Sequence, residues 1–118
     1  MDLLSEVLIA LIAIEHFYFL ILEMFLWTKP KGLKTFGNSR EDAEKSKVLA
    51  ANQGLYNGFL AAGLIWSLVD ELNATSIAIF FLCCIITAGI YGAYSTKKTK
   101  LFYIQSLPAI ATMIILLL

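Results

Sequence analysis

Residues 3–27 read LLSEVLIALIAIEHFYFLILEMFLW. About 20 apolar residues at 1.5 Å per residue cross the ~30 Å hydrocarbon core of a bilayer, so this run is long enough to be a span. Glu15 and His16 lie side by side near its middle, and Glu23 follows two turns later. An ionisable side chain at the centre of a membrane helix costs about 2.5–3.5 kcal/mol on insertion scales, so such groups face a protein interior or a wet cavity and find a partner there. The three residues are therefore the first candidates for function.

The rest of the chain has the same character. Of 118 residues, 59% are hydrophobic and 15% charged, with a mean hydropathy of +0.78, whereas soluble domains carry about 25% charge. The net charge is zero, but its distribution is uneven. All nine basic residues fall in two stretches, Lys29 to Lys47 and Lys97 to Lys100. Between and around them lie four apolar segments, about 3–27, 48–69, 74–94 and 101–118. The expected fold is an all-α membrane protein, one domain over residues 1–118 with four transmembrane helices in an antiparallel bundle. The connection at 70–73 and the N-terminal residues carry no Lys or Arg. The positive-inside rule then places the two basic connections in the cytoplasm and both termini outside. Residues 1–27 lack the basic start of a secretory signal and carry Asp2 and Glu6 instead, so they are expected to remain as the first span.

Within the first connection, Pro30 ends the first helix and Gly37-Asn38 marks a turn. Ser39, followed three residues later by Asp42, reads as a variant capping box, so the second helix is expected to begin in the cytoplasm near residue 40. Its first two turns read as a solvated face of mixed charge. Anionic lipid head groups or a phosphate are the sharper alternative for the wider basic connection.

Three amides and a tyrosine then enter the membrane within six residues. At 100° per residue Asn52, Gln53, Tyr56 and Asn57 share an arc of ~140°, while Gly54, Gly58 and Ala62 line a separate stripe that suits close helix packing, within the chain or across a homodimer. Tyr91 on the third helix and Gln105 on the fourth fall in the same inner half as these amides. Pro108 leaves the carbonyl of Ile104 without its usual donor, which favours a bend. Adjacent Cys83 and Cys84 cannot form an ordinary disulfide with each other and read as packing residues.

A carboxylate beside an imidazole can relay a proton, to each other or to a substrate. A metal site fits less well, because Glu15 and His16 diverge by ~100° and His16 to Glu23 spans ~10 Å of helix axis. Neither Ser106 nor Cys84 carries a local signature of an activated nucleophile.

The stretches Glu15-His16-x-Tyr18, Leu22-Glu23-Met24-Phe25-x-Trp27-x-x-Pro30-x-Gly32 and residues 47–64, with their Asn-Gln-Gly-Leu-Tyr-Asn-Gly run, resemble the small bacterial membrane proteins grouped as domain-of-unknown-function family 1304. The resemblance covers essentially the whole chain. It implies a four-helix, multi-pass protein of the bacterial inner or plasma membrane, and it supplies no reaction, substrate or catalytic residue.

Three functions follow as expectations. The favoured one is a protein with a buried polar pocket open to the cytoplasm, formed by Glu15, His16, Glu23, Asn52, Gln53, Tyr56, Asn57, Tyr91 and Gln105, that binds or transports a small or lipophilic ligand with or without proton coupling. The second is an intramembrane enzyme using Glu15 and His16 as acid and base on a lipid-like substrate. The third is a non-catalytic scaffold or accessory subunit. The bilayer is the expected partner, with no nucleic acid, metal or cofactor; whether the chain is an enzyme stays open at this level.

Overall fold

The computed structural model describes residues 1–118 and is all-helical. In chain order it contains α1 (Leu3–Met24), α2 (Pro30–Phe36), α3 (Arg40–Val69), α4 (Ala74–Thr96), a π-helical turn (Phe102–Ser106) and α5 (Leu107–Leu117). Two of these, α1 and α4, are long and apolar enough to cross a membrane. The contacts divide the chain into two compact units, Met1–Ala13 with Ala62–Leu118, and Ile14–Ala61. Each is taken separately.

The unit of residues 14–61 pairs the second part of α1 with the first part of α3. Glycines on α3 bring the two backbones together: a Cβ added at Gly54 would lie 2.8 Å from Met24 Cγ and 3.0 Å from Glu23 Cβ, and one at Gly58 would lie 2.6 Å from Leu20 Cδ1. Contacts move back along α1 as they move forward along α3, so the pair is antiparallel. Part of the small-residue stripe is thus covered within the chain, while Ala62 is exposed.

The connection between them contains a short helix, where the sequence suggests a helix stop at Pro30 and a turn at Gly37-Asn38. After Met24, the Phe25 and Leu26 N–H groups both donate to the Ile21 carbonyl, at 3.0 and 3.1 Å, and α1 stops. Pro30 then begins a helix, because the first helical position has no use for an N–H and the proline ring already holds the helical φ. Gly37 closes α2 in the left-handed region at φ 69°, its N–H bonded to the Leu33 carbonyl. Gly32 is required inside this short helix, since a Cβ there would stand 1.9 Å from the backbone oxygen of Leu26. Beyond the turn, Ser39 Oγ accepts the Asp42 N–H at 3.1 Å and α3 starts at Arg40 as expected.

In the other unit, Asp70 Oδ1 accepts the N–H groups of Leu72 and Asn73, at 3.0 and 2.6 Å, which tightens the short connection from α3 to α4. A Cβ at Gly63 would meet the Phe81 ring at 2.3 Å, and one at Gly89 would lie 2.0 Å from Ser106 Oγ. The last segment carries the irregularity that Pro108 foreshadows, in a particular form. A widened turn precedes the proline, with the Leu107 N–H bonded five residues back to the Phe102 carbonyl. Ser106 Oγ donates to the Ile86 carbonyl at 2.8 Å and ties this turn to α4.

Large apolar side chains are exposed and several polar ones are buried. Along α1, Leu4, Val7, Leu11, Ile14 and Ile21 are exposed, while Ser5, His16 and Glu23 are buried together with Ile9, Ile12, Ala13 and Leu22. Elsewhere Asn57, Ser67, Ser106 and Thr112 are also buried.

At the start of α1, Asp2 Oδ1 accepts the Ser5 N–H at 2.8 Å, and this bond holds its carboxyl below the usual carboxylate range. A depressed carboxyl contributes stability above its unfolded value and loses it as pH falls through the folded one. Hydrogen-exchange protection at Ser5 should therefore be present at neutral pH and fall on acidification through the carboxylate range. In Asp2→Asn, where nothing titrates, it should stay level; flat behaviour in the natural chain would mean that the cap does not form.

Candidate functional site

The side chain at the centre of the 14–61 unit is Glu23. It is 2% exposed, and both of its oxygens take an amide from α3: Gln53 Nε2 donates to Oε2, and Asn57 Nδ2 donates to Oε1 at 2.5 Å. The glycine contacts make this meeting feasible. Gly54 lets α3 approach close enough to α1 for side chains one residue before it and three residues after it to reach one carboxylate. Glu23 has no ion-pair partner. The ion pairs of the chain are Lys45 with Glu41 at 3.2 Å and Lys47 with Glu44 at 3.1 Å; His16 lies 3.8 Å from Glu15, an ion pair only when the imidazole is protonated.

A cavity of about 370 Å³ has Glu23 among its lining residues. Its polar lining residues are Glu23, Asn52, Thr28 and Lys47, and Met24, Phe25, Trp27 and Val48 form its apolar walls. Trp27 is fixed from two sides. Its Nε1 donates to Ser46 Oγ at 3.1 Å, and its ring meets that of Phe36 at a centroid distance of 4.8 Å. Ser46 in turn donates to the Asp42 carbonyl at 2.8 Å, so this wall rests on the first turns of α3 and on α2.

The other residues selected from sequence are placed differently. Glu15 and His16 adjoin each other, but 3.8 Å between Oε1 and Nδ1 exceeds a hydrogen bond. His16 is wholly buried, with its ring edge-on to Phe19 at 5.2 Å, whereas the Glu15 side chain is 31% exposed. Asn52 is exposed and bonds its own helix, Nδ2 to the Val48 carbonyl at 2.9 Å. Tyr56 is exposed on α3 near the Phe59 ring. In the other unit, Tyr91 is exposed on α4, and Gln105 sits in the π turn with its Cβ near Gly89. No three His, Cys, Asp or Glu side chains converge on a position that could hold a metal ion.

Met24, Phe25 and Trp27 were not singled out from sequence as site residues. An aromatic cluster at a span end reads as an interfacial belt, and only the position of Glu23 one helical turn before Trp27 hints at another use.

A small all-helical protein with apolar outer faces and a carboxylate–amide site between two of its helices is the class these features define. The chain belongs to the family described as "Protein of unknown function (DUF1304)", which matches residues 10–117 and so includes every residue of the site. It is also similar to a protein of Lactococcus lactis subsp. lactis (strain IL1403) described as "Uncharacterized protein YpaA", 33% identical over 100 residues that cover 83% of this chain and 84% of the relative. No solved structure matches.

Proposed function

We propose that this is a multi-pass protein of the bacterial cell membrane that binds, and in its fullest form transports, a small ligand in the cavity beside Glu23. The observation that carries the reading is Glu23 itself, a buried carboxylate held by two amides and lining a cavity without an ion-pair partner. Burying a charge is costly unless it is compensated, so a site of this kind is more readily understood as serving a ligand than as packing alone.

The membrane part of the reading is supported by the exposed apolar surface. Only 33% of the apolar window in α1 and 28% of that in α4 is buried, whereas the core helix of a soluble protein would be mostly covered. Apolar exposure on this scale needs lipid or a partner to cover it. The apolar part of α3 and the stretch Phe102–Leu117 complete four spans, with the basic connections at 28–47 and 97–100 in the cytoplasm. The cavity, lined by Lys47 and Thr28, would then open near the cytoplasmic surface.

Single cysteines in a Cys83→Ser/Cys84→Ser background would test this topology. Reagents that cannot cross the membrane should reach positions 70–73 in intact cells, and positions 31–38 and 98–100 only after the cells are opened. Labelling of all three connections from outside, or recovery of the chain in the soluble fraction after an alkaline wash, would defeat the four-span reading. The acid–base alternative rests on Glu15 and His16. Conversion of a lipid in extracts that is lost in His16→Ala but kept in Glu23→Gln would favour it.

A further inference from the structure

We propose that the cavity beside Glu23 takes an organic cation, an ammonium group carrying an aromatic or aliphatic body. The proposal rests on the reading of this cavity as a ligand site and adds the ligand's chemical class.

Charge decides first. When ionised, the Glu23 carboxylate offers about four lone-pair positions, and the amides of Gln53 and Asn57 occupy one on each oxygen. Two neutral donors orient Glu23 and would leave the charge of its ionised form uncompensated. Lys47 lines the same cavity but is paired with Glu44, and Lys45 with Glu41. An anionic ligand would meet uncompensated like charge, and a neutral one would leave the buried charge as it was. A cation would balance it.

The walls favour the same class. Aromatic faces carry negative charge density and attract an ammonium within about 6 Å of the ring centre, Trp most strongly. Trp27 and Phe25 supply such rings here, and the polarisable thioether of Met24 lies with them. The Trp27 N–H is engaged by Ser46 Oγ, so its ring is held in place before any ligand arrives. The volume of about 370 Å³ lies within the range of about 300–1,000 Å³ typical of small-molecule sites. A single charged group with an apolar body matches one carboxylate among apolar walls.

The test compares three probes of similar shape and different charge: benzyltrimethylammonium, its uncharged isostere neopentylbenzene, and the anion benzenesulfonate. The full chain would be held in phosphatidylcholine nanodiscs with Trp66→Phe, so that the emission of Trp27 reports occupancy. Benzyltrimethylammonium should give a saturable change, with neopentylbenzene about tenfold weaker and benzenesulfonate weaker still. Glu23→Gln, which keeps the shape and an amide in its place, should weaken the ammonium about tenfold and leave neopentylbenzene unchanged. The comparison on the natural side chain stands even if that variant folds poorly.

Equal affinity for the charged and uncharged probes would overturn the cation assignment while leaving the cavity a ligand site. An unchanged ammonium affinity in folded Glu23→Gln would do the same. Should none of the three bind saturably, both this assignment and the reading beneath it fall.

Discussion

Gly89→Ala is expected to lower stability by about 1–3 kcal/mol, the usual result of forcing a methyl into a filled contact, against a helix-propensity gain of about 1 kcal/mol that would otherwise favour alanine. The added Cβ would meet Ser106 Oγ at 2.0 Å, the backbone nitrogen of Ser106 at 2.9 Å and Gln105 Cβ at 3.1 Å. A hydroxyl can rotate away, but a backbone nitrogen inside a helical turn cannot. Moving Ser106 also loses its bond to the Ile86 carbonyl, so the strain and the lost bond add. The measurement is the unfolding midpoint in detergent.

A second glycine on the same helix is the internal control. At Gly92 a Cβ meets only Leu101 Cδ1 at 3.5 Å, an ordinary contact. Gly92→Ala should be neutral or stabilise by up to about 1 kcal/mol, through helix propensity alone. If the two substitutions behave alike, the close approach of the π turn to α4 is not present in solution. Adding Ser106→Gly to Gly89→Ala should recover part of the loss and no more, because the contact with the backbone nitrogen remains.

The start of α3, and the grouping of Glu23 with the amides, could be read from the chain before any coordinates. Ser39 and Asp42 sit at the spacing of a cap, and an acid in an apolar run has to find donors, which residues 52–57 supply. What could not be read was which amides answer. Asn52, Gln53 and Asn57 share one arc of ~140°, and a helical wheel does not show that Asn52 turns back to the Val48 carbonyl. Short polar side chains have that local option, and its outcome depends on which side the neighbouring helix takes. The helix at Pro30–Phe36 was hidden for another reason. Seven residues carry too little periodicity to register, and Pro30, which reads as a helix stop, instead begins α2 after α1 has already ended at Met24. The π turn is a matter of backbone register, which side-chain identity hardly encodes. Pro108 signalled an irregularity without its form.

Asn57→Leu bears most directly on what Glu23 is for. Asn57 is 7% exposed and gives Glu23 its better buried hydrogen bond, since Gln53 lies at the exposed edge. Leucine keeps the approximate volume and removes the donor. Two magnitudes separate two states of the carboxyl group. A bond between neutral groups across membrane helices is worth on average about 0.6 kcal/mol, whereas one to a charged group is worth about 1.5–3 kcal/mol. A loss in the upper range would mean that Asn57 serves an ionised Glu23, which is the state an organic cation requires. A loss near the lower figure would mean a neutral carboxyl and would undercut that proposal even if the fold is unharmed. The double variant Glu23→Leu/Asn57→Leu then distinguishes a stabilising site from a working one. Replacing both partners of a buried polar pair by apolar groups is often neutral or favourable, so the double variant should regain most of the stability lost in Asn57→Leu. If it also keeps the natural affinity for benzyltrimethylammonium, Glu23 is not the ligand's counter-charge. Recovery of stability with loss of binding is the expected result, because a carboxylate that the fold can do without is retained for what it binds.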